Sequence, residues 1–218
     1  MSLAIFDLDN TLIDGDSDHL WGIFLCEEGI VDAVEYSKLN DQFYSNYLAG
    51  SLDILAYQKF ALRPLASTPL EKLEELRLKF LTKIIHQIIL GKAKKLIQQH
   101  VRKGDHPMII TATNDFVARP IAALLGISDL LACTAEFKDG SYTGETLGIP
   151  TFREGKVSRL KEWVEANSED LEGAWFYSDS HNDLPLLEFI DNPVAVDPDK
   201  TLREIANRRG WNIISLRN

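Results

Sequence analysis

Positive charge is scarce in this 218-residue sequence: 23 Lys and Arg stand against 33 Asp and Glu, for a net charge of −10. A surface for nucleic acid or for an anionic membrane needs clustered Lys and Arg, so neither partner is expected. Cysteine is scarcer still. Cys26 and Cys133 lie in apolar surroundings with no CxxC pair and no metal spacing, which reads as two core thiols of a reducing compartment. His19, His86, His100, His106 and His181 show no paired zinc spacing. No apolar run reaches membrane length and no basic-then-apolar leader opens the chain, so a soluble cytoplasmic protein is the expectation. Internal repeats and low-complexity segments are absent too. What remains is a length suited to one sizeable core plus an insertion.

The stretch Phe6-Asp7-Leu8-Asp9-Asn10-Thr11-Leu12 stands out, two carboxylates directly after the short apolar run Leu3-Ala4-Ile5-Phe6. Such a run reads as a buried strand. At a strand's carboxyl end both acids can enter one crevice, where open parallel sheets bind ligands. One carboxylate can attack while the other moves protons, provided their environments differ.

From Leu20 to Leu90 the spacing is helical and no strand is evident. Leu20 with Phe24, Leu39 with Phe43 and Tyr47, and Phe80 with Ile84 and Ile88 recur four apart. Ser17 or Asp18 is expected to cap the first of these helices, and Thr68-Pro69-Leu70-Glu71 has the capping-box pattern. So long a helical stretch exceeds a crossover and reads as an inserted cap or lid. A further helix carries Ala93, Leu96, Ile97 and Val101 on its apolar face. Beyond it, the strands Met108–Thr111, Leu130–Cys133, Trp175–Ser178, Val194–Val196 and Ile213–Ser215 alternate with helices. The expectation is an α/β fold with a Rossmann-like, mainly parallel sheet and a helical cap inserted after the first strand. The core would comprise 1–18 and 91–218, the cap 19–90. Asp139-Gly140 between alternating residues signals a hairpin. Trp21, Trp163, Trp175 and Trp211 read as core or interface residues.

Three more stretches sit at or beyond the end of an apolar strand. Thr111-Ala112-Thr113-Asn114 offers a hydroxyl and backbone N–H groups at a helix start, suited to a phosphate oxygen. Lys156 opens a helix, where a lone lysine is ordinarily a solvated charge. Ser178-Asp179-Ser180-His181-Asn182-Asp183 carries two acids four apart, able to hold a hard cation or simply to form a turn and cap.

Taken in order, Asp7-Leu8-Asp9-Asn10-Thr11, Thr111, Lys156, and Asp179 with Asp183 resemble the haloacid dehalogenase superfamily of phosphohydrolases. The helical insertion and Lys138-Asp139-Gly140-Ser141-Tyr142-Thr143-Gly144 resemble its phosphoserine phosphatase branch, which usually begins the last motif Gly-Asp where this chain has Ser178-Asp179. The resemblance implies Asp7 as a nucleophile forming an aspartyl-phosphate and Asp9 as acid and base. It implies Mg²⁺ held by Asp7, the Asp9 carbonyl and Asp179, with Asp183 in or near the shell. Lys156 would offset charge, Thr111 and Ala112 would hold phosphate, and Asn182 would orient phosphate or water.

The implied activity is hydrolysis of a small phosphorylated metabolite. Phosphotransfer or mutase chemistry on the same fold and a catalytically silent binding protein are the alternatives, and monomer and homodimer both stay open. Asp14, Asp16 and Asp18 ordinarily read as a solvated turn and cap. In the phosphoserine phosphatase branch, however, an acidic residue near the position of Asp16 serves a substrate amine. A substrate carboxylate would also need a cation, for which Arg63 is the candidate. Phosphoserine and histidinol phosphate are therefore the substrates considered, the second having an amine and no carboxylate.

Overall fold

A computed structural model describes residues 2–217. Strand β1 (Leu3–Phe6) is buried at every position, as suits the middle of a parallel sheet covered on both faces. The chain then leaves the sheet for helices α1 (Ser17–Glu27), α2 (Ala33–Leu48), α3 (Ile54–Ser67) and α4 (Leu70–Phe80). A π-helical turn, Leu81–Ile85, and the short α5 (His86–Ile88) bring it back. The two ends of this excursion are stitched together. Ile13 and Ile89 form an antiparallel bridge, the Asp14 amide donates to the Ile88 carbonyl at 2.7 Å, and the Leu90 amide to the Leu12 carbonyl at 3.2 Å.

The remainder alternates: α6 (Gly91–Lys103), β2 (His106–Asn114), α7 (Asp115–Leu124), β3 (Asp129–Lys138), β4 (Ser141–Leu147), α8 (Glu154–Asn167), β5 (Trp175–Ser178), a 3₁₀ turn (His181–Asp183), α9 (Leu184–Leu187), β6 (Asn192–Val196), α10 (Lys200–Arg209) and β7 (Asn212–Ile214). The sheet order is β4-β3-β2-β1-β5-β6-β7, parallel throughout except β3 with β4. The strand order therefore reverses direction at β1, and the crevice at its carboxyl end is where an open sheet binds its ligand. Period-two alternation splits the core between two faces. Phe6, Ile109 and Val196 pack with α1, α4, α6 and α7 on one side. Leu3, Ile5, Met108 and Phe176 pack with α8, α9 and α10 on the other. Aromatic rings tie the excursion to the core: Trp21 lies 5.2 Å from Phe80 and 5.7 Å from Phe116 of α7.

Several local expectations are met. Asp139 and Gly140, at φ 51° and 85°, form a two-residue turn between paired Lys138 and Ser141, the left-handed geometry that Asp-Gly favours. Others are corrected. Asp16, not Ser17 or Asp18, caps α1, its carboxylate accepting from the His19 amide at 2.8 Å. Thr68 ends α3 in an extended conformation and Pro69 precedes α4 without a side-chain cap, so the capping box does not form. Val101 is exposed. Cys133 is buried but Cys26 only half-buried. No described helix is long and apolar enough to cross a membrane.

Candidate active site

Asp7 is the first residue past β1, and its amide donates to the Tyr177 carbonyl of β5 at 2.9 Å. The side chain points into the crevice and is 4 % exposed. Lys156 reaches it from the first turn of α8. Only 2 % exposed, its ammonium lies 2.8 Å from Asp7 Oδ1 and 2.8 Å from Asp183. The solvated surface role ordinary for a lone lysine does not apply here. Ser178 Oγ donates to Asp183 Oδ2 at 2.7 Å. Asp183 is thus engaged by both Lys156 and Ser178.

Asp9 is bound on both oxygens. The Ser17 amide and hydroxyl each donate to Oδ1 at 2.6 Å. Oδ2 accepts from Thr113 Oγ1 at 2.7 Å and from Thr111 Oγ1 at 3.3 Å. Thr11 Oγ1 accepts from the Asp179 amide at 3.1 Å and donates to Asp179 Oδ1 at 3.3 Å. Burial raises the Asp7 carboxyl to about 7. Lys156 opposes that rise, and Asp183 and Asp9 add to it. Asp179 is pushed well up by burial and then by Asp7 and Asp183. Burial would lower the Lys156 ammonium, but Asp183 and Asp7 overcome it and hold the proton firmly.

Asp7, Asp9, Asp179 and Asp183 thus share one crevice with a single ammonium, which pairs with Asp7 and Asp183, an imbalance that calls for a further cation. Among the described residues no three His, Cys, Asp or Glu side chains form a preassembled metal cluster. Mg²⁺ does not need one, since it commonly takes one or two carboxylates and keeps several waters. Asp7 and Asp179 each have a carboxylate oxygen with no hydrogen-bond partner among the described residues, so the donor set fits that ion.

A cavity of about 510 Å³, counted to its open mouth, extends from Asp7 and Asp9 beneath the helical excursion. Thr111, Ala112 and Thr113 line its base; Asp16, Asp18 and His19 of the α1 start line one wall; Phe43, Tyr44, Tyr47 and Tyr57 line another. The Leu39–Phe43–Tyr47 stripe is therefore not core: Leu39 is exposed, and the two aromatic residues face the cavity. Burial and then Asp9 raise the Asp16 carboxyl to about 7. Burial also raises the Asp18 carboxyl well up, with Asp16 and Asp9 next in effect.

Of the site residues expected from sequence, Asp7, Asp9, Asp16, Thr111 and Ala112 meet on this cavity, and Lys156, Asp179 and Asp183 adjoin its floor. Two of the expected residues, Arg63 and Asn182, do not line the cavity. Arg63 is exposed on α3 and is not on the cavity wall; its neighbours Leu62, Pro64 and Leu65 take the buried side. Asn182 is committed to the protein, its amide donating to the Tyr47 carbonyl at 3.0 Å and its Oδ1 accepting from Arg153 Nη2 at 3.2 Å. It rivets α2 to the core.

The sequence marks Ser17 only as a helix cap, Thr113 only as part of the stretch after Thr111, and Arg153 not at all. Thr113 had a signal, being two residues beyond Thr111 on one strand and hence on the same face. Arg153 gave none. Its backbone sits at φ 51°, and its guanidinium donates to the Gly50 carbonyl and to Asn182.

Residues 4–188 match the family model for haloacid dehalogenase-like hydrolases. The chain is 42% identical over 220 residues to a Neisseria meningitidis serogroup C (strain 8013) protein named histidinol-phosphatase, covering 99% of each. A solved structure from Bordetella pertussis Tohama I, of unknown function, superposes with a TM-score of 0.93 at 39% identity, covering 99% of this chain and 98% of that one. A phospho-aspartyl intermediate analogue of phosphoserine phosphatase superposes at 0.72 with 18% identity, over 100% and 94% of the two chains, a likeness of fold.

Proposed function

The chain belongs to the haloacid dehalogenase-like hydrolases and is a phosphatase, and from that premise we propose that it is a Mg²⁺-dependent phosphomonoesterase of a phosphorylated amine that lacks a carboxylate, with histidinol phosphate as substrate. One observation carries the choice. Beyond the phosphate end the cavity wall offers Asp16 and Asp18 and, among the described residues, no lysine or arginine. A substrate ammonium finds carboxylates there; a substrate carboxylate, as in phosphoserine, finds no lysine or arginine and faces Asp16 and Asp18 instead. The name of the Neisseria relative points the same way.

In this reading residues 1–18 and 91–218 form the catalytic core and 19–90 a cap that encloses the substrate. Asp7 attacks phosphorus, and the bond from phosphorus to the substrate oxygen breaks as the aspartyl-phosphate forms. Asp9 gives the leaving alkoxide its proton and then takes one from the water that hydrolyses the acyl phosphate. Thr111 Oγ1 and the backbone around Ala112 receive phosphate oxygens. Lys156 keeps Asp7 ionised and offsets phosphate charge. Asp7, Asp179 and the Asp9 carbonyl would hold Mg²⁺, with Asp183 acting on that site through Lys156. The bound ion would supply electrostatic stabilisation of charge on the phosphoryl group.

The test is kcat/KM for histidinol phosphate, phosphoserine and an aryl phosphate, with Mg²⁺ and with chelator. Histidinol phosphate should exceed phosphoserine by ~10²-fold, the scale of leaving a charged group unpaired, and chelator should stop turnover. Preference for phosphoserine, or full activity in chelator, overturns the reading.

A further inference from the structure

Asp18 is 6 % exposed on the cavity wall, and only half of its carboxylate is used by the protein. Oδ1 accepts from Asn114 Nδ2 at 2.8 Å, and Asn114 is itself fixed, its Oδ1 capping α7 at the Val117 amide. Oδ2 is buried with no hydrogen-bond partner among the described residues. The Tyr57 phenol on the facing wall stands near enough to ease its ionisation by hydrogen bonding, a looser contact than the Asn114 bond and one that leaves Oδ2 short of a close donor. A neighbour on the same wall repeats the pattern: His19 Nδ1 is buried and unpartnered. Buried polar atoms are nearly always satisfied, and exceptions gather where a ligand completes them.

The wall around these atoms narrows what the ligand group is. Phe43, Tyr44 and Tyr57 face the cavity, and the His19 ring stacks on Tyr44 with centroids 4.5 Å apart at 17°. Flat aromatic faces beside a carboxylate oxygen suit a planar cation carrying N–H donors at its edge, rather than a compact hydrated ammonium. The two acids are also held apart by different elements: Asp16 caps α1 at the His19 amide beside Ser17, which holds Asp9, whereas Asp18 is held by Asn114 at the end of β2. They therefore offer separate partners, one to an amine and one to a ring.

We propose that Asp18, through Oδ2, accepts a ring N–H from the substrate and is the residue that selects substrates bearing an imidazole-like ring. The proposal rests on the reading of the site as a phosphatase of a phosphorylated amine and adds to it a second subsite.

The experiment compares kcat/KM for histidinol phosphate and for 2-aminopropyl phosphate, which keeps the amine and lacks the ring, in the wild type and in Asp18→Asn. Asparagine preserves an acceptor for Asn114, and a melting curve checks the fold. The wild type should favour the ring-bearing substrate at least tenfold, and Asp18→Asn should remove most of that ratio through KM. Should Asp18→Asn not fold, the wild type is assayed with histidinol phosphate methylated on one or the other ring nitrogen, and one isomer should lose at least tenfold. A wild-type preference that survives Asp18→Asn, or that survives both methylations, overturns the subsite alone. A wild type indifferent to the ring overturns the subsite and the histidinol phosphate reading together.

Discussion

Ser17 holds Asp9 twice, its amide and its hydroxyl each donating to the same carboxylate oxygen at 2.6 Å. Ser17 opens α1, so the helix that carries one wall of the cavity also aims the candidate acid and base. Helix N-terminal amides favour a carboxylate at this place, and Thr113 fixes the other oxygen at 2.7 Å. A group set by donors on two separate elements reaches the substrate already oriented, which is where much of general acid–base efficiency originates.

Asp9→Asn should therefore lower kcat by ~10²-fold or more, having lost the transferable proton. Ser17→Ala keeps the amide bond and loses the hydroxyl. A drop of about tenfold in kcat, with little change in KM, is expected for one charge-assisted hydrogen bond. Steady-state kinetics on an aryl phosphate decide it; wild-type kcat in Ser17→Ala would show that the helix contact does not orient Asp9.

Lys156 lies between Asp7 and Asp183 at 2.8 Å from each and almost wholly out of solvent. Lys156→Met should destabilise the fold by ~3–5 kcal/mol, the usual cost of leaving buried charges uncompensated, and should also abolish turnover. Urea denaturation measures the first effect. A loss under ~1 kcal/mol would show that water reaches the two carboxylates when the ammonium is gone.

Much of this site is legible in the sequence, for a physical reason. Short apolar strands such as Leu3–Phe6 and Trp175–Ser178 are marked by composition, and acids directly after them must lie at a sheet's carboxyl edge. Amphipathic helices are marked as well, but not what their apolar stripe meets. Phe43 and Tyr47 face the ligand cavity with the same four-residue spacing that elsewhere marks core, and the same spacing could not tell which side of α3 carries Arg63. Asn182 is marked in the sequence but its partner is not, and Arg153 is not marked at all, because Tyr47 and Gly50 lie 135 and 103 residues away. A contact of that range leaves no local pattern.

Asp16 gives a pH prediction. Burial first, and Asp9 next, raise its carboxyl from 3.8 to about 7 in the folded protein. A raised folded value means that the native state keeps a proton the unfolded chain has already released. Stability from this group is therefore present at about pH 4 and lost as pH rises toward about 7. Asp16→Asn removes that dependence, and asparagine caps a helix as well as aspartate does. Without substrate, its Tm relative to wild type should be near equal at low pH and climb by a few degrees by about pH 8. A variant that melts below wild type at high pH would mean that Asp16 is stabilised by ionising.

The helical excursion closes on the core at the end of α2. Three contacts converge on the loop after α2. Arg153 donates to the Gly50 carbonyl, Asn182 donates to the Tyr47 carbonyl at 3.0 Å, and His181, fixed to Asp199 at 2.8 Å, stands against Gly50. Gly50 has φ 68°, and a Cβ there would lie 2.6 Å from His181 Nε2. An alanine is thus strained in its backbone and too close to a tethered ring. The loop must lift, taking Tyr47 and the aromatic wall away from the cavity while leaving Asp7, Asp9 and Lys156 in place. Gly50→Ala should lower kcat/KM for an enclosed amine substrate by about tenfold and lower Tm by a few degrees, the scale of ~1 kcal/mol in a chain of this size. An aryl phosphate, which gains less from enclosure, should suffer less. Equal losses on both substrates would place the damage in the catalytic residues and remove the case for a seated cap.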